Sequence, residues 1–142
     1  MRLCMVATRF AVALHILLLL AHRAAGDTTS TTMALSVGTN PVVVRRITGL
    51  LVRAGLVAVQ RGPGGAALAR PAEEIKLADV WRAIHGAGKP MIGVHPRTNQ
   101  ADPVARRIPG LLRQRLDEAE LAMYANLAST SLAELAAGLR AG

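Results

Sequence analysis

Apolar residues along this 142-residue chain recur mostly at helical spacing and at strand spacing in one short stretch. The run from about Val6 to Arg23 predicts a first helix, closed by a polar break at Gly26, Asp27, Thr28 and Thr29. Thr29 or Ser30 caps a short second helix through Val37, with Met33, Ala34 and Val37 on its apolar side. Gly38 and Thr39 make a turn, Asn40 is an N-cap, and Pro41 occupies the first helical position, where its missing N–H costs nothing. At about 100° per residue, the third helix places Val43, Val44, Ile47, Leu50, Leu51 and Ala54 on one side and Val42, Arg45, Arg46, Gly49 and Arg53 on the other. One face packs and the other is basic, and Gly55 ends the helix.

Leu56 to Val59 is β-branched and short, Arg61-Gly62-Pro63-Gly64-Gly65 is a turn, and Ala66 to Ala69 returns as a second strand. Lys76 to Gly86 predicts a fourth helix with Leu77, Val80, Trp81 and Ile84 as its stripe, and residues 87–101 form a loop. Asp102-Pro103 repeats the cap-then-proline signature and opens a long helix to about Leu127, with Val104, Ile108, Leu111, Leu112, Leu116, Ala119 and Met123 on its apolar side. Pro109 either kinks that helix or marks its start. A short helix from Ser131 to Leu139 closes the chain. The predicted fold is mostly α with a small β-hairpin wing: a winged helix-turn-helix over residues 1–86, then a loop and dimerisation helices over 87–142. The long helix carries more apolar surface than the small winged core covers, which points to a homodimer.

Charge sharpens the picture. There are 17 Lys and Arg against 9 Asp and Glu, a net charge of +8, so polyanions are the expected partners. Aromatic residues are limited to Phe10, Trp81 and Tyr124, too few for a platform that stacks unpaired bases, so double-stranded DNA is favoured over single strands or RNA. No carboxylate lies between Asp27 and Glu73, whereas Arg45, Arg46, Arg53, Arg61 and Arg70 all do, as expected of a surface facing phosphates. The single cysteine, Cys4, excludes an internal disulfide and a cysteine cage for zinc or an iron-sulfur cluster. His95 and Asp102 would supply only half of a metal site, His15 reads as a packed core histidine, and no nucleophile-base pair stands out. The expected protein is therefore no enzyme and holds neither metal nor cofactor.

The strings Ser36 to Ile47, Leu50 to Val57, Arg61 to Gly65 followed by Leu68-Ala69-Arg70-Pro71, and Leu77-Ala78-Asp79-Val80 resemble the Rrf-two family of winged helix-turn-helix transcriptional regulators. The resemblance implies a homodimer built on the long helix, which regulates transcription by occupying a promoter. It also implies that Asn40, Val42, Arg45 and Arg46 read the major groove or touch phosphate, that Arg61 and Gly62 are the wing contact, and that Thr29 and Ser30 anchor the second helix to the backbone. Thr39 in the turn and Arg53 on the basic face complete the expected DNA-binding set. Cluster-binding relatives carry three cysteines between the fourth and the long helix; here that segment has none, and Asp102 stands where some carry cysteine. The chain is thus similar to the cluster-free branch, with an unidentified small-molecule or redox signal left open.

Three functions compete: a cytoplasmic DNA-binding repressor acting as a dimer on a symmetric operator, a winged-helix protein-interaction adaptor, and a secreted basic protein. The last arises because Arg2 and Arg9, the apolar run from Phe10 to Ala21 and the small residues Ala24, Ala25 and Gly26 trace the outline of a signal peptide. That run is too short to span a bilayer, Arg9 and His15 flank and interrupt it, and a buried first helix is the favoured reading.

Overall fold

A computed structural model describes residues 2–22, 26–60 and 65–141. Six α-helices are present among them: α1 (Arg2–His22), α2 (Ser30–Val37), α3 (Pro41–Arg53), α4 (Leu77–His85), α5 (Pro103–Ala128) and α6 (Leu132–Arg140). Strands β1 (Val57–Val59) and β2 (Ala66–Leu68) form an antiparallel hairpin in which Val57 faces Leu68 and Val59 faces Ala66. This is the winged helix-turn-helix expected from the pattern, mostly helical with a two-stranded wing.

The local signals act as predicted. The Thr29 side chain caps α2, and Gly38 closes that helix at φ 80°, a conformation glycine adopts without strain. Asn40 Oδ1 accepts from the Val43 amide at 3.0 Å and starts α3, with Pro41 behind it. Asp102 does the same for α5, accepting from Val104 N at 2.9 Å. One detail is not signalled by the pattern: a 3-10 turn at Ala72–Glu74 leads into α4. The last helix extends to Arg140, and α5 begins at Pro103, as the cap-then-proline signature predicts, and runs through Pro109. Pro109 therefore does not mark the start of the long helix.

The core is organised around α1. Ala13, Ile16, Leu17 and Leu20 are buried and meet Met33 of α2, Val44, Ile47 and Leu51 of α3, Val80 and Ile84 of α4, and Leu132 of α6. Burial of each large aliphatic side chain contributes about 1.5 to 3 kcal/mol, against about 1 kcal/mol for a single helix cap, so the core decides where α1 sits and the caps only trim its neighbours. His15 is half-buried rather than a full core residue, and its Nε2 lies 3.0 Å from Ser36 Oγ on α2. After α5 the chain returns: Leu132 N donates to Ile75 O at 2.7 Å and Leu77 N to Thr130 O at 3.0 Å, which seats α6 on α1 beside the start of α4.

Arg113 on α5 fastens the loop between α4 and α5. Its guanidinium donates to Ile92 O at 2.6 Å, Asp117 Oδ1 at 2.6 Å and Glu120 Oε1 at 3.0 Å, while Ile92 N donates to the same Glu120 oxygen at 3.0 Å. Burial alone would push the Glu120 carboxyl up, but the amides of Ile92 and Met91 and the Arg113 guanidinium outweigh it and hold the carboxyl below its ordinary value.

The wing is held from outside its own hairpin. Thr28, buried just before α2, donates from Oγ1 to Ala66 O at 2.7 Å and accepts from Ala66 N at 3.1 Å. Gly65 makes this approach possible: at φ +69°, a Cβ there would stand 2.6 Å from Thr28 Oγ1 and 2.9 Å from the Thr28 backbone carbonyl. Gly55 has a similar φ of +75° with open space around it. Gly55→Ala should therefore cost only the left-handed backbone penalty of about 1 to 2 kcal/mol, and Gly65→Ala clearly more. Denaturant unfolding of the two variants checks this, and equal losses would show that the Thr28 contact does not hold the wing.

Candidate nucleic-acid interface

The surface opposite the core is set by the period of α3. Because Val44, Ile47 and Leu51 are buried, residues about 100° away from that stripe must face solvent. Val42 is 55% exposed and Arg45, Arg46 and Arg53 are exposed as well, as the two-faced pattern predicts. An exposed valine beside arginines at the start of a helix suits contact with a thymine methyl next to phosphates or guanine edges. Arg53, one face further along, lies back over Gly49, its guanidinium 3.7 Å from where a Cβ would be.

The turn before α3 is short and tied down. Gly38 N and Thr39 N both donate to Ala34 O, at 2.9 and 3.0 Å, which closes the end of α2. Arg45 Nη1 donates to Ser30 Oγ at 3.2 Å, bringing together the first residue of α2 and the second turn of α3. Asn40 spends its carbonyl oxygen on the cap, which leaves the amide N–H groups of its exposed side chain as donors for phosphate. Thr29 is used differently. Its hydroxyl donates to Thr32 Oγ1 at 3.2 Å and accepts from Thr32 N at 3.4 Å, while Asp27 accepts from Thr29 N at 2.9 Å and from Thr32 Oγ1 at 2.6 Å. A carboxylate at this helix end complements the dipole that a phosphate would also seek. Of the two residues at the start of α2, Ser30 is the one joined to the basic face.

Arg61 and Gly62 at the wing tip lie outside the described residues. Arg70, part of the carboxylate-free run, is drawn towards α4, its Nη2 3.7 Å from Asp79 Oδ2. Asp79 is thereby shared between Arg70 and the Lys76 amide, which donates to it at 2.9 Å. The sequence did not reveal the wing-holding pair Thr28 and Gly65, nor the Arg113 and Glu120 fastening. Thr28 stands in a run of capping residues, and nothing local separates its role from that of Thr29.

Two short helices with a glycine turn, a basic outer face on the second and a small hairpin behind it define a DNA-binding protein of the winged helix-turn-helix class. The sequence model of the Rrf2 family, described as "Iron-dependent Transcriptional regulator", matches residues 6–138. The chain belongs to the Rrf2 family and is a DNA-binding transcriptional regulator. It is 37% identical over 131 residues to a candidate HTH-type transcriptional regulator of Bacillus subtilis (strain 168), YwnA, an alignment covering 92% of this chain and 96% of that protein. The crystal structure of a candidate DNA-binding protein is 35% identical with a TM-score of 0.73, covering 89% of this chain and 97% of that one. Staphylococcus aureus CymR is 25% identical with a TM-score of 0.66, covering 91% and 95% of the two chains.

The family description raises the question of iron. Among the described residues no three His, Cys, Asp or Glu side chains come together to hold a metal ion, and the one cysteine of the chain, Cys4, falls in the first turns of α1. Iron-sulfur clusters are held chiefly by several cysteine thiolates, so the donor set here does not fit one. The anaerobically purified protein should lack visible absorbance and stoichiometric iron, and chelators should leave its DNA binding unchanged. A coloured preparation with about one iron atom or more per chain would overturn this.

Proposed function

We propose that the protein is a cytoplasmic, non-catalytic repressor that acts as a homodimer on a two-fold symmetric operator, each α3 entering the major groove. The observation that carries this reading is the outward face of α3, where Val42, Arg45 and Arg46 stand exposed beside Asn40 and Ser30. In the reading, Asn40, Val42, Arg45 and Arg46 meet base edges and adjacent phosphates, Thr39, Ser30 and Arg53 meet the backbone, and Thr29 acts chiefly by holding α2. Arg61 and Gly62 carry the wing contact. The class of the YwnA relative supports the DNA-binding part. Among the described residues no helix is long and apolar enough to cross a membrane, and the apolar run of α1 is used in the core.

Arg45→Ala and Arg46→Ala should each weaken operator binding by about 1 to 3 kcal/mol wherever the side chain forks onto a guanine edge. Arg61→Ala should lower affinity for all sequences and reduce the salt slope by about one unit if it meets phosphate. Fluorescence anisotropy over a salt series measures both, with circular dichroism confirming the fold. A folded triple alanine variant that binds the operator like the parent would remove the claim.

The dimer rests on α5. None of its 26 residues is buried, and Val104, Ile108, Leu111 and Leu112 are exposed large apolar side chains on one side of it. A helix about 39 Å long with that stripe open to water is poorly stabilised by one chain alone. The same stripe also favours the adaptor reading, in which another protein covers it. Light scattering separates the two: a stable dimer at micromolar concentration is expected, and a monomer would leave the stripe for a different partner.

A further inference from the structure

A cavity of about 440 Å3 opens between α4, the loop that follows it and the C-terminal half of α5. Its size is that of a small-molecule site, and its walls are aromatic and apolar with few polar groups, as such sites require. Trp81 and Tyr124 supply the flat surfaces, with Met91 and Met123 beside them. The Trp81 ring is fixed from two directions: Phe10 meets it edge-on at 5.1 Å and His85 stacks on it at 5.0 Å, 25° from parallel. His85 is itself held, because its Nε2 faces Lys89 O at 3.1 Å and Pro90 O at 3.2 Å, and two carbonyls can only accept, so that nitrogen carries the proton.

The acids of the cavity are paired with Arg113 and its cations are not paired with them. Its two acids, Asp117 and Glu120, are both bound by Arg113, and Glu120 also accepts from Ile92 N. Its cations are exposed at the edge: Arg82 sits 5.3 Å over the Tyr124 ring, and Lys89 lies across Gly86. Among the described residues neither has a carboxylate within ion-pair distance. An aromatic slot with two cations at its mouth that have no carboxylate partner selects a flat ring that carries a negative charge.

We propose that this cavity binds a planar aromatic carboxylate, its ring against Trp81 and Tyr124 and its anion at Arg82 and Lys89. The cavity joins α4, which holds core residues Val80 and Ile84, to α5. In the dimer proposed above, a ligand wedged there sets the angle between the winged unit and the long helix, so its use as an inducer rests on that reading. The binding itself does not.

Trp81 is the only tryptophan, so the full-length protein labelled with nitrogen-15 shows one indole N–H resonance to follow. Titration with 2-naphthoate should shift it saturably, and 2-naphthamide, of the same shape without charge, should bind about tenfold more weakly or worse. The double variant Arg82→Gln with Lys89→Gln should keep its fold by circular dichroism and lose the preference for the acid. No saturable shift, equal affinity for acid and amide, or a preference that survives in the double variant would each overturn the assignment. No DNA enters the titration, so its failure is distinguishable from failure of the Arg45 and Arg46 variants to weaken operator binding.

Discussion

Burial of one face of α1 is the constraint on which the other elements depend. Ala13, Ile16, Leu17 and Leu20 form a ridge at helical spacing, and α2, α3, α4, α6 and β2 all lie against this helix. The direction of α3 follows from it. Once Val44, Ile47 and Leu51 are committed to the core, the 3.6-residue period leaves Val42, Arg45 and Arg46 no place but the outside. The basic face is thus a consequence of packing on the opposite side, and a substitution that rotated α3 would move every DNA-facing residue together.

The wing shares this reference frame through Thr28. A two-stranded hairpin with three residues per strand is marginal alone. The Thr28 hydroxyl, bonded to both the amide and the carbonyl of Ala66, ties β2 to the entrance of α2. That bond is buried, so breaking it exposes no compensating water and costs more than a surface hydrogen bond of the same length. The strand that leads to the wing tip and the helix whose first residue holds Arg45 are joined through three consecutive residues, Thr28 to Ser30.

Most of the element order was legible because its signals are local. Asn40-Pro41, Asp102-Pro103, Gly38 and Gly55 each act within a few residues, and each sits in the structure at the helix end where the sequence places it. The two faces of α3 were legible for the same reason. What escaped was pairing at a distance. Thr28 meets Ala66 across 38 positions and Arg113 meets Ile92 across 21, and neither pair leaves a mark in the residues around it. The seat of α6 escaped too: periodicity shows that Leu132 and Ala136 share a face but not that the face returns to α1. At the interface, charge counting placed Arg45, Arg46 and Arg70 in one set, yet Arg70 has Asp79 within 3.7 Å while the first two have no carboxylate partner among the described residues.

This difference among arginines bears on how the molecule distributes charge. Ion pairs gather at the α4 and α5 end, where Arg70, Arg113 and Arg115 each meet a carboxylate. Surface pairs of this kind contribute little to stability, about 0 to 1 kcal/mol each. Their larger effect is on the field: they offset part of the positive charge near α4 and α5, where Arg97, Arg106 and Arg107 still stand exposed without an ion pair among the described residues, while α3 carries cations and no carboxylate. The α5 helix instead mixes Arg106 and Arg107 with Asp117, Glu118 and Glu120 beside its exposed apolar stripe. The two ends of the protein are suited to different partners, one by charge and one by hydrophobic area, and they are joined by α4, which lies against both the core that carries α3 and the long helix, and by α6, which follows α5 and packs on α1.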